Sequence, residues 1–340
     1  MSKVLITGSS GFIGGYVVSE LLKAGHEVVG VDNFSKYGKV TRNFDDDDNY
    51  TFVEGDARDL DLMVELLDGC EHLIAGAALI GGISYFHEYA YDLLAQNERI
   101  IAATCDAAIR AHDEGTLSKV TYLSSSMVYE STDRWPSVEG DQRRVPPPLS
   151  SYGFQKLAVE YFAQAAWDQY KLPFTIVRPF NCVGIGEVRA LGEAEVVSGS
   201  VKLAMSHVLP DLVQKVVKGQ DPLHILGTGE QVRHYTYGED LAKGIVTCMS
   251  HPAALNNDFN ISTAESTTVL ELAEKVWKRI NGDKPFAVVS DDPYEHDVQK
   301  RVPSVDKAKD VLGFECTTTL DEMLDTVVPW IIQAVADGLI

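Results

Sequence analysis

The feature that most constrains the fold is a loop near the N-terminus in which three glycines, spaced Gly-x-x-Gly-x-x-Gly, separate an apolar segment at residues 3–7 from a helical pattern. Bare glycine backbone lets a phosphate approach closely, and the N-terminus of the following helix presents unpaired N–H groups to it. A strand, a glycine turn and a helix in this order predict a pyrophosphate site, whereas a tight turn without a ligand is the alternative interpretation. The predicted contacts are Gly8, Gly11, Phe12, Ile13 and Gly14.

An acidic residue ends the second apolar segment. Residues 27–31 lead into Asp32, which lies eighteen residues after Gly14. A carboxylate at this place accepts hydrogen bonds from the hydroxyls of an adenosine ribose and repels a 2′-phosphate, so the pattern predicts NAD rather than NADP. Asn33 is predicted to contact the same cofactor, and no arginine follows Asp32 directly, although Lys36 lies nearby.

A third apolar segment, residues 51–53, is followed by Asp56 and Ala57. Asp56 has two compatible interpretations. It is placed to accept a hydrogen bond from the adenine amino group of the cofactor, with Ala57 beside it. It is also a candidate N-cap for a helix that starts at Leu60.

A tyrosine and a lysine spaced Tyr-x-x-x-Lys carry the predicted chemistry. Positions i and i+4 of a helix share a face, so the ammonium of Lys156 is expected beside the phenol of Tyr152, where it lowers the pKa of the phenol. Ser125, at the end of a predicted strand, is expected to hydrogen-bond the same substrate oxygen as Tyr152. Such a pair alone is often an ordinary surface pair, but the upstream glycine loop favours a catalytic set of Ser125, Tyr152 and Lys156.

Composition and charge exclude several classes of protein. The chain has 340 residues, 45% of them hydrophobic, which is enough for one large domain with a smaller lobe. No apolar run reaches the roughly eighteen residues of a membrane span, and the N-terminus enters a strand at once, so neither a membrane span nor a signal peptide is predicted. Five scattered cysteines favour reduced thiols in the cytoplasm. The net charge of −21 argues against nucleic acid, and the acidic run at residues 45–48 is predicted to be a solvated loop, not a metal site.

Strand-like segments continue to alternate with helical patterns. This alternation predicts an α/β fold with a Rossmann-type doubly wound parallel sheet. Three consecutive prolines at residues 146–148 place the start of the helix that carries Tyr152 near residue 150 or 151. The further strand-like segments are residues 71–74, 120–123 and 174–177.

As a set, these motifs resemble those of the extended short-chain dehydrogenase/reductases, in particular the NAD-dependent nucleotide-sugar epimerases and dehydratases. The resemblance runs from Lys3 to about Gly313. It implies NAD as the cofactor, a nucleotide-diphosphate sugar as the substrate and a homodimer as the assembly. The motifs that carry it are residues 7–14, 55–56, 77–78, 124–129, 152–156, 178–181 and 233–237 with Asp240.

The second half of the chain is less regular. Residues 184–208 show no clear period, whereas residues 259–262 are strand-like and Thr268 with Glu271 forms a capping box before a helix. By the resemblance, the C-terminal region is a smaller lobe that binds the nucleotide sugar over the cofactor. The predicted boundaries are 1–183 for an NAD-binding Rossmann domain, to which a strand near 232–262 returns, and 184–340 for a mainly nucleotide-sugar-binding lobe.

The same resemblance implies further ligand contacts. Lys156, Ala77 and Phe180 are expected at the cofactor. Asn181 and Arg233 are expected at the diphosphate of the substrate, since an amide and a guanidinium both donate to phosphate oxygens. The full set implied for the nucleotide sugar is Gly81, Gly82, Ser125, Ser126, Tyr152, Asn181 and Arg233.

One departure from the family pattern concerns the second arginine that holds the diphosphate. Many members have Arg-Pro-Gly-Asp before the last conserved segment, whereas this chain has residues 294–297, Tyr-Glu-His-Asp, at that place. The second arginine is therefore missing unless Arg301 or Arg189 replaces it. His207 and His296 are not included in the catalytic set, because an isolated histidine is more often a structural or surface residue.

The residues after Ser125 distinguish the subfamilies. The 4,6-dehydratases carry Asp-Glu where this chain has Ser126 and Met127, and the 3,5-epimerases of GDP-sugars carry a cysteine where Met127 stands. Decarboxylases keep a glutamate at that same place. With none of these groups present, the resemblance favours a 4-epimerase, which inverts C4 through a transient 4-keto sugar without consuming cofactor.

Two alternatives stay open. Residues 77–83 and 206–210 resemble stretches of GDP-sugar 3,5-epimerases and GDP-fucose synthases, which makes a 3,5-epimerase, or another dehydratase or reductase of the family, the alternative enzyme. A redox sensor that binds dinucleotide without turnover is the non-enzyme alternative. Such sensors usually lose the tyrosine and the lysine, which this chain keeps as Tyr152 and Lys156.

Overall fold

The structure is a computed structural model that describes residues 1–80, 89–191, 195–204, 207–293 and 298–340. Among these residues, strands alternate with helices through the first half of the chain, as expected. The strands are β1 Lys3–Thr7, β2 Glu27–Asp32, β3 Tyr50–Glu54, β4 His72–Ala75, β5 Lys119–Leu123, β6 Phe174–Pro179, β7 Cys182–Val183, β8 Glu195–Ser198, β9 Val201–Ala204, β10 Leu223–Leu226, β11 Val232–Arg233, β12 Thr236–Tyr237, β13 Asn257–Ile261, β14 Thr267–Thr268 and β15 Val288–Asp291.

The helices cover both faces of the main sheet and build the lobe. Caps define several of their ends: the Ser150 hydroxyl accepts a hydrogen bond from Gly153 N, and the predicted capping box of Thr268 and Glu271 is present. The helices are α1 Phe12–Lys23, α2 Leu60–Leu66, α3 Ala90–Asp113, α4 Ser151–Tyr170, α5 Val208–Val217, α6 Gly238–Ser250, α7 Val269–Asn281, α8 Asp306–Leu312 and α9 Leu320–Ala336.

Seven strands form one parallel sheet in the order β13-β6-β5-β4-β1-β2-β3. The register places Leu5 beside Val29 on one side and Leu73 on the other. These apolar side chains are buried because helices cover both faces of the sheet. The prediction of a doubly wound parallel sheet is confirmed. The strand order reverses between β1 and β4, and ligands of such sheets bind in the crevice at this point.

The three large apolar cores of the described residues hold the fold together. One lies between the sheet and α2, α3 and α4, and a second lies between the other face of the sheet and α1, α6 and α8. The third belongs to the lobe, where α5, α7 and α9 pack around the fully buried Trp277. The crevice therefore lies between the main sheet on one side and a lobe with its own apolar core on the other side.

The chain returns to the main sheet after entering the lobe. Strand β13 pairs with β6 at the edge of the sheet, close to the strand predicted over residues 259–262. Residues 195–204, which show no period in the sequence, contain the short antiparallel pair β8 and β9. The boundary between the two predicted domains, at residues 183 and 184, stays a prediction. Within the described part of the chain, every helix is too short or too polar to cross a membrane.

Candidate active site

The glycine loop is tight because its backbone atoms approach one another closely. Gly8 has a φ of 77°, in the left-handed region that favours glycine, and Gly11 N donates to Gly8 O at 3.1 Å. A Cβ at Gly14 would lie 1.9 Å from Gly8 O. Side chains are thus excluded from the space in front of the N-terminus of α1, where backbone N–H groups are available to a pyrophosphate.

We expect Gly14→Ala to weaken NAD binding at least tenfold, because the added methyl group displaces the Gly8 carbonyl and opens the loop. The measurement is a titration of NAD followed by calorimetry. Gly15→Ala is the matched control, since a Cβ there meets only the flexible side chain of Arg42 at 3.3 Å. Equal NAD affinity in both variants would show that the close approach of Gly14 to Gly8 does not shape the site.

Asp32 ends β2 beside the glycine loop, as predicted. Its Oδ1 accepts a hydrogen bond from Phe34 N at 2.8 Å and its Oδ2 accepts one from Ser10 N at 3.1 Å. Burial raises the pKa of Asp32, and these backbone N–H groups and the charge of Arg42 oppose that effect. Each carboxylate oxygen retains a further acceptor position, which fits the hydroxyls of an adenosine ribose.

Arg42 is a residue that sequence analysis did not single out. Its Nη2 donates to Ser10 O at 3.1 Å and to Gly11 O at 3.4 Å, and a Cβ at Gly186 would lie 2.7 Å from its Nη1. It therefore links the glycine loop to the segment that follows β7. No local motif marks it, because it lies in the irregular connection between β2 and β3.

Asp56 does not cap the next helix, so that interpretation was wrong. The N-cap of α2 is Asp59, whose side chain accepts hydrogen bonds from Asp61 N and Leu62 N. Asp56 instead accepts from Arg58 N at 2.9 Å and forms an ion pair with the Arg58 guanidinium. Asp56 lines the same cavity as Asp32, and its contact with an adenine stays a prediction.

Ser125 and Met127 follow β5 at its carboxyl end. The side chain of Ser125 accepts a hydrogen bond from Met127 N at 3.2 Å and caps a short 3-10 helix, Ser126–Tyr129. This turn presents Ser125, Ser126 and Met127 to the cavity. Met127 is 6% exposed and packs with Leu93.

Tyr152 and Lys156 lie one turn apart on α4, with Lys156 Nζ 6.0 Å from the centre of the Tyr152 ring. Burial raises the pKa of Tyr152, and a hydrogen bond with Ser125 and the charge of Arg301 lower it. Burial also lowers the pKa of Lys156 to about 8, and its Nζ donates to Leu123 O at 3.0 Å. Lys156 was expected to lower the pKa of Tyr152. In the structure the groups that lower this pKa are Ser125 and Arg301, and burial outweighs both.

One cavity of about 580 Å³ brings most of the predicted residues together. It extends from the glycine loop, past the ends of β2, β3 and β4, to Tyr152 and into the lobe. The residues of the predicted set that line it are Gly8, Gly11, Phe12, Ile13, Gly14, Asp32, Asn33, Asp56, Ala57, Ala77, Ser125, Ser126, Tyr152, Lys156, Asn181 and Arg233.

The side chain of Phe180 does not belong to this set. It is 1% exposed and stacks on Tyr129 in a separate apolar cluster, while its neighbours Pro179 and Asn181 line the cavity. Gly81 and Gly82 lie outside the described residues.

The lobe side of the cavity contains two arginines. Arg233 and Arg301 both line the cavity, and Arg301 N donates to Val232 O at 3.1 Å. Of the two candidates for the second arginine, Arg301 is thus the one at the site. Arg189 is not among the residues that line the cavity, and its backbone N–H donates to Leu339 O at 2.9 Å.

A buried ion network lies beneath the catalytic residues. Arg178 is fully buried and makes a two-pronged contact with Glu160, at 2.7 and 2.8 Å, and a second ion pair with Asp258 at 2.8 Å. Glu160 also accepts a hydrogen bond from Ser124 Oγ at 2.7 Å. Because Ser124 precedes Ser125 and Glu160 lies one turn after Lys156, the network connects the two elements that carry the predicted catalytic set.

Comparison with known proteins places the chain among enzymes of one family. The model of the NAD dependent epimerase/dehydratase family matches residues 4–262. A protein of Bacillus subtilis (strain 168), described as an uncharacterized UDP-glucose epimerase YtcB, is 27% identical over 97% of this chain and 98% of its own length.

Two solved structures have the same fold over almost the whole chain. The UDP-glucose 4-epimerase of Thermotoga maritima with UDP-glucose has a TM-score of 0.79 and 26% identity, covering 98% of this chain and 99% of its own. MoeE5 in complex with UDP-glucuronic acid and NAD has a TM-score of 0.78 and 27% identity, with coverage of 98% and 99%.

These findings confirm the predicted family, the predicted enzyme class and NAD as the cofactor. That the glycine loop and Asp32 bind this cofactor stays a prediction. Since the family model spans well over half of its length, the chain belongs to the NAD dependent epimerase/dehydratase family.

Proposed function

We propose that this enzyme inverts C4 of a nucleotide-diphosphate sugar through a transient 4-keto sugar. The observation that carries the proposal is the set of side chains after β5: Ser125 and Tyr152 share the cavity, and Ser126 and Met127 occupy the places where other family members carry acids or a cysteine. A thioether and a hydroxyl do not exchange protons with carbon. Oxidation at C4 and its reversal on the other face of the sugar are then the chemistry that remains.

Tyr152, Ser125 and Lys156 each have a separate role in the proposed reaction. Tyr152 removes the proton of the C4 hydroxyl and later returns it, and Ser125 holds the same oxygen by a hydrogen bond. Lys156, one turn along the helix, has its Nζ 6.0 Å from the centre of the Tyr152 ring and holds the cofactor ribose. When bound, NAD supplies the acceptor and then the donor of the hydride at C4.

Charged groups of the lobe support a diphosphate substrate. Arg233 is 8% exposed and lines the cavity, and its Nη1 donates to Val232 O at 3.0 Å, which fixes its orientation. Asn181, at a φ of 33°, donates from Nδ2 to His234 O at 3.3 Å on the same wall. We propose uridine as the nucleoside, because the relatives and structures compared above carry UDP-sugars in their names.

We also propose a homodimer that works in the cytoplasm. Large aromatic side chains on the outer surface of α3 and α4 support an interface between two copies: Tyr91 is 77% exposed, Tyr161 63% and Phe154 47%. Sedimentation velocity tests the proposal, since a single species with the mass of one chain would contradict it.

Turnover in D₂O is the decisive experiment on the reaction. C4 inversion moves hydride between the sugar and the cofactor, so we expect a C4-inverted product without deuterium on any sugar carbon. The measurement is NMR and mass analysis of the product after incubation with UDP-sugars, and heat-inactivated enzyme is the control. A 4,6-dehydratase would instead place solvent deuterium at C5, because the hydride held by the cofactor goes to C6, and it would release water.

A 3,5-epimerase is the second candidate, and one observation favours it. His207 lines the same cavity, and its Nδ1 pairs with the buried carboxylate of Glu187, so an imidazole is present at the site. A 3,5-epimerase must remove a proton from carbon next to the ketone. Deuterium at C3 or C5 in a product that has not lost water would therefore favour this candidate over C4 inversion.

A further inference from the structure

The end of β5 contacts α4 at two places that carry the predicted chemistry. Leu123 O accepts a hydrogen bond from Lys156 Nζ at 3.0 Å. Ser125, two residues after Leu123, forms a hydrogen bond with Tyr152. Because Tyr152 and Lys156 lie one turn apart on the same face of the helix, the placement of the strand end against α4 sets the geometry of the predicted catalytic set.

Ser124, between these two strand residues, makes a third contact with α4. Its Oγ donates to Glu160 Oε1 at 2.7 Å and lies 3.4 Å from Lys156 O. Glu160 follows Lys156 by one further turn, so three successive turns of the helix contact three consecutive residues of the strand end. Ser124 is 4% exposed and Glu160 2%, and a hydroxyl-carboxylate bond that is shielded from water is strong.

The Glu160 carboxylate is held in place from two other sides. It accepts hydrogen bonds from Arg178 at 2.7 and 2.8 Å and from Gln142 Nε2 at 2.9 Å. Arg178 lies on β6, the strand that pairs with β5, and Ser124 N donates to Val177 O on the same strand at 2.8 Å. The Ser124 hydroxyl therefore joins the strand end to an acceptor whose position the sheet already fixes.

We propose that Ser124 is a positioning residue for the reaction. Its hydrogen bond to Glu160 holds the strand end against α4, and this contact places Ser125 and Lys156 correctly relative to Tyr152. Transfer of a proton and a hydride depends steeply on geometry, and a displacement of about 1 Å can lower a rate by about 10². The proposal rests on the proposed function, in which Ser125 and Tyr152 bind the same sugar oxygen.

The test compares Ser124→Ala with the unmodified enzyme, both loaded with NAD. The probes are UDP-glucose, UDP-glucuronate and GDP-mannose, and the measurements are kcat, KM and the rate at which each sugar reduces the bound NAD, followed by the absorbance of NADH. We expect kcat and the rate of NAD reduction to fall about tenfold or more, while KM and the Kd of NAD change less than about threefold. Loss of stability alone would not give this split.

Gln142→Met is the matched control, because it also removes a hydrogen bond to the Glu160 carboxylate but leaves the bond from β5. It removes the acceptor of Gly140 N at 2.9 Å as well, so its loss of stability in urea should equal or exceed that of Ser124→Ala. Its rate of NAD reduction should stay within about a factor of two of the unmodified rate. If Ser124→Ala does not fold, Ser124→Cys keeps a weaker donor and should lower the rate about threefold or more.

Three results would overturn the proposal. One is a rate of NAD reduction in Ser124→Ala, or in Ser124→Cys if the first variant does not fold, equal to that of the unmodified enzyme. Another is an equal fall of this rate in Ser124→Ala and Gln142→Met, which would mean that the rate follows the stability of the fold. The third is a loss of NAD affinity as large as the loss of rate, which would make Ser124 a direct contact of the cofactor, since it also lines the cavity.

Product analysis separates this proposal from the proposed function. Reduction of NAD is the first step of any reaction that passes through a 4-keto sugar, so the variants can be compared whichever product forms. Reduction of NAD without a C4-inverted product would contradict the proposed function and leave the comparison of Ser124→Ala with Gln142→Met intact. C4 inversion at the same rate in Ser124→Ala and the unmodified enzyme would support the proposed function and contradict the role of Ser124. An enzyme whose NAD none of the three probes reduces would contradict both.

Discussion

Tyr152→Phe should lower kcat by a factor of about 10² or more, because in the proposed reaction it removes the group that takes the proton of the C4 hydroxyl. The change deletes one oxygen from a side chain that is 7% exposed and packs against Leu93 and Met127, so the apolar contacts remain. The variant should therefore stay folded and bind NAD as before. The measurements are steady-state turnover of the active UDP-sugar, circular dichroism and NAD titration.

Tyr170→Phe is the matched control for this variant. Tyr170 is the last residue of the same helix and is 44% exposed, so its hydroxyl is far from the chemistry and its loss should leave kcat within a factor of two. Ser125→Ala should lower kcat less than Tyr152→Phe, since it removes a hydrogen bond to the oxygen and not the proton acceptor. Near-normal turnover of Tyr152→Phe would mean that another group, with His207 the first candidate, moves the proton.

Local motifs explain which parts of the site could be predicted from the sequence. The glycine loop, Asp32 and the pair of Tyr152 with Lys156 each depend on residues within one strand, turn or helix, so spacing alone positions them. The parallel sheet follows in the same way from the alternation of apolar strands with helices. For the sheet the structure confirms the sequence interpretation, and it places the glycine loop, Asp32, Tyr152 and Lys156 on one cavity.

The remaining parts of the site depend on contacts between distant segments. Arg42 contacts the glycine loop from an irregular connection, and Arg301, nearly half of the chain away from Tyr152 in sequence, lines the same cavity. The direction of the Tyr152 pKa shift could not be predicted either, because burial dominates it and burial is a property of the folded state. Phe180 was misplaced because the sequence does not reveal which side of the segment faces the cavity.

The ion network under the catalytic residues predicts a large loss of stability in Arg178→Met. Burial alone lowers the pKa of Arg178, but Glu160 and Asp258 raise it well above its usual value, so the guanidinium stays charged inside the protein. Glu160 is 2% exposed and would remain as a buried carboxylate without its cation. Removing one partner of such a pair costs about 3–5 kcal/mol, which we expect as the fall in the free energy of unfolding in urea.

A double variant distinguishes two causes of the expected loss of stability: the charge that is left buried and the packing that is lost with the Arg178 side chain. Glu160→Met combined with Arg178→Met removes both charges and keeps apolar volume, so it should be more stable than either single variant. Lys278→Met is the surface control, because Lys278 pairs with Glu274 on an exposed face of α7 and should change the unfolding midpoint little. A double variant as unstable as the sum of the two single variants would show that the two charges are not coupled. The stability would then come from packing around Arg178, and the network would have no part in joining β5 to the helix of Tyr152.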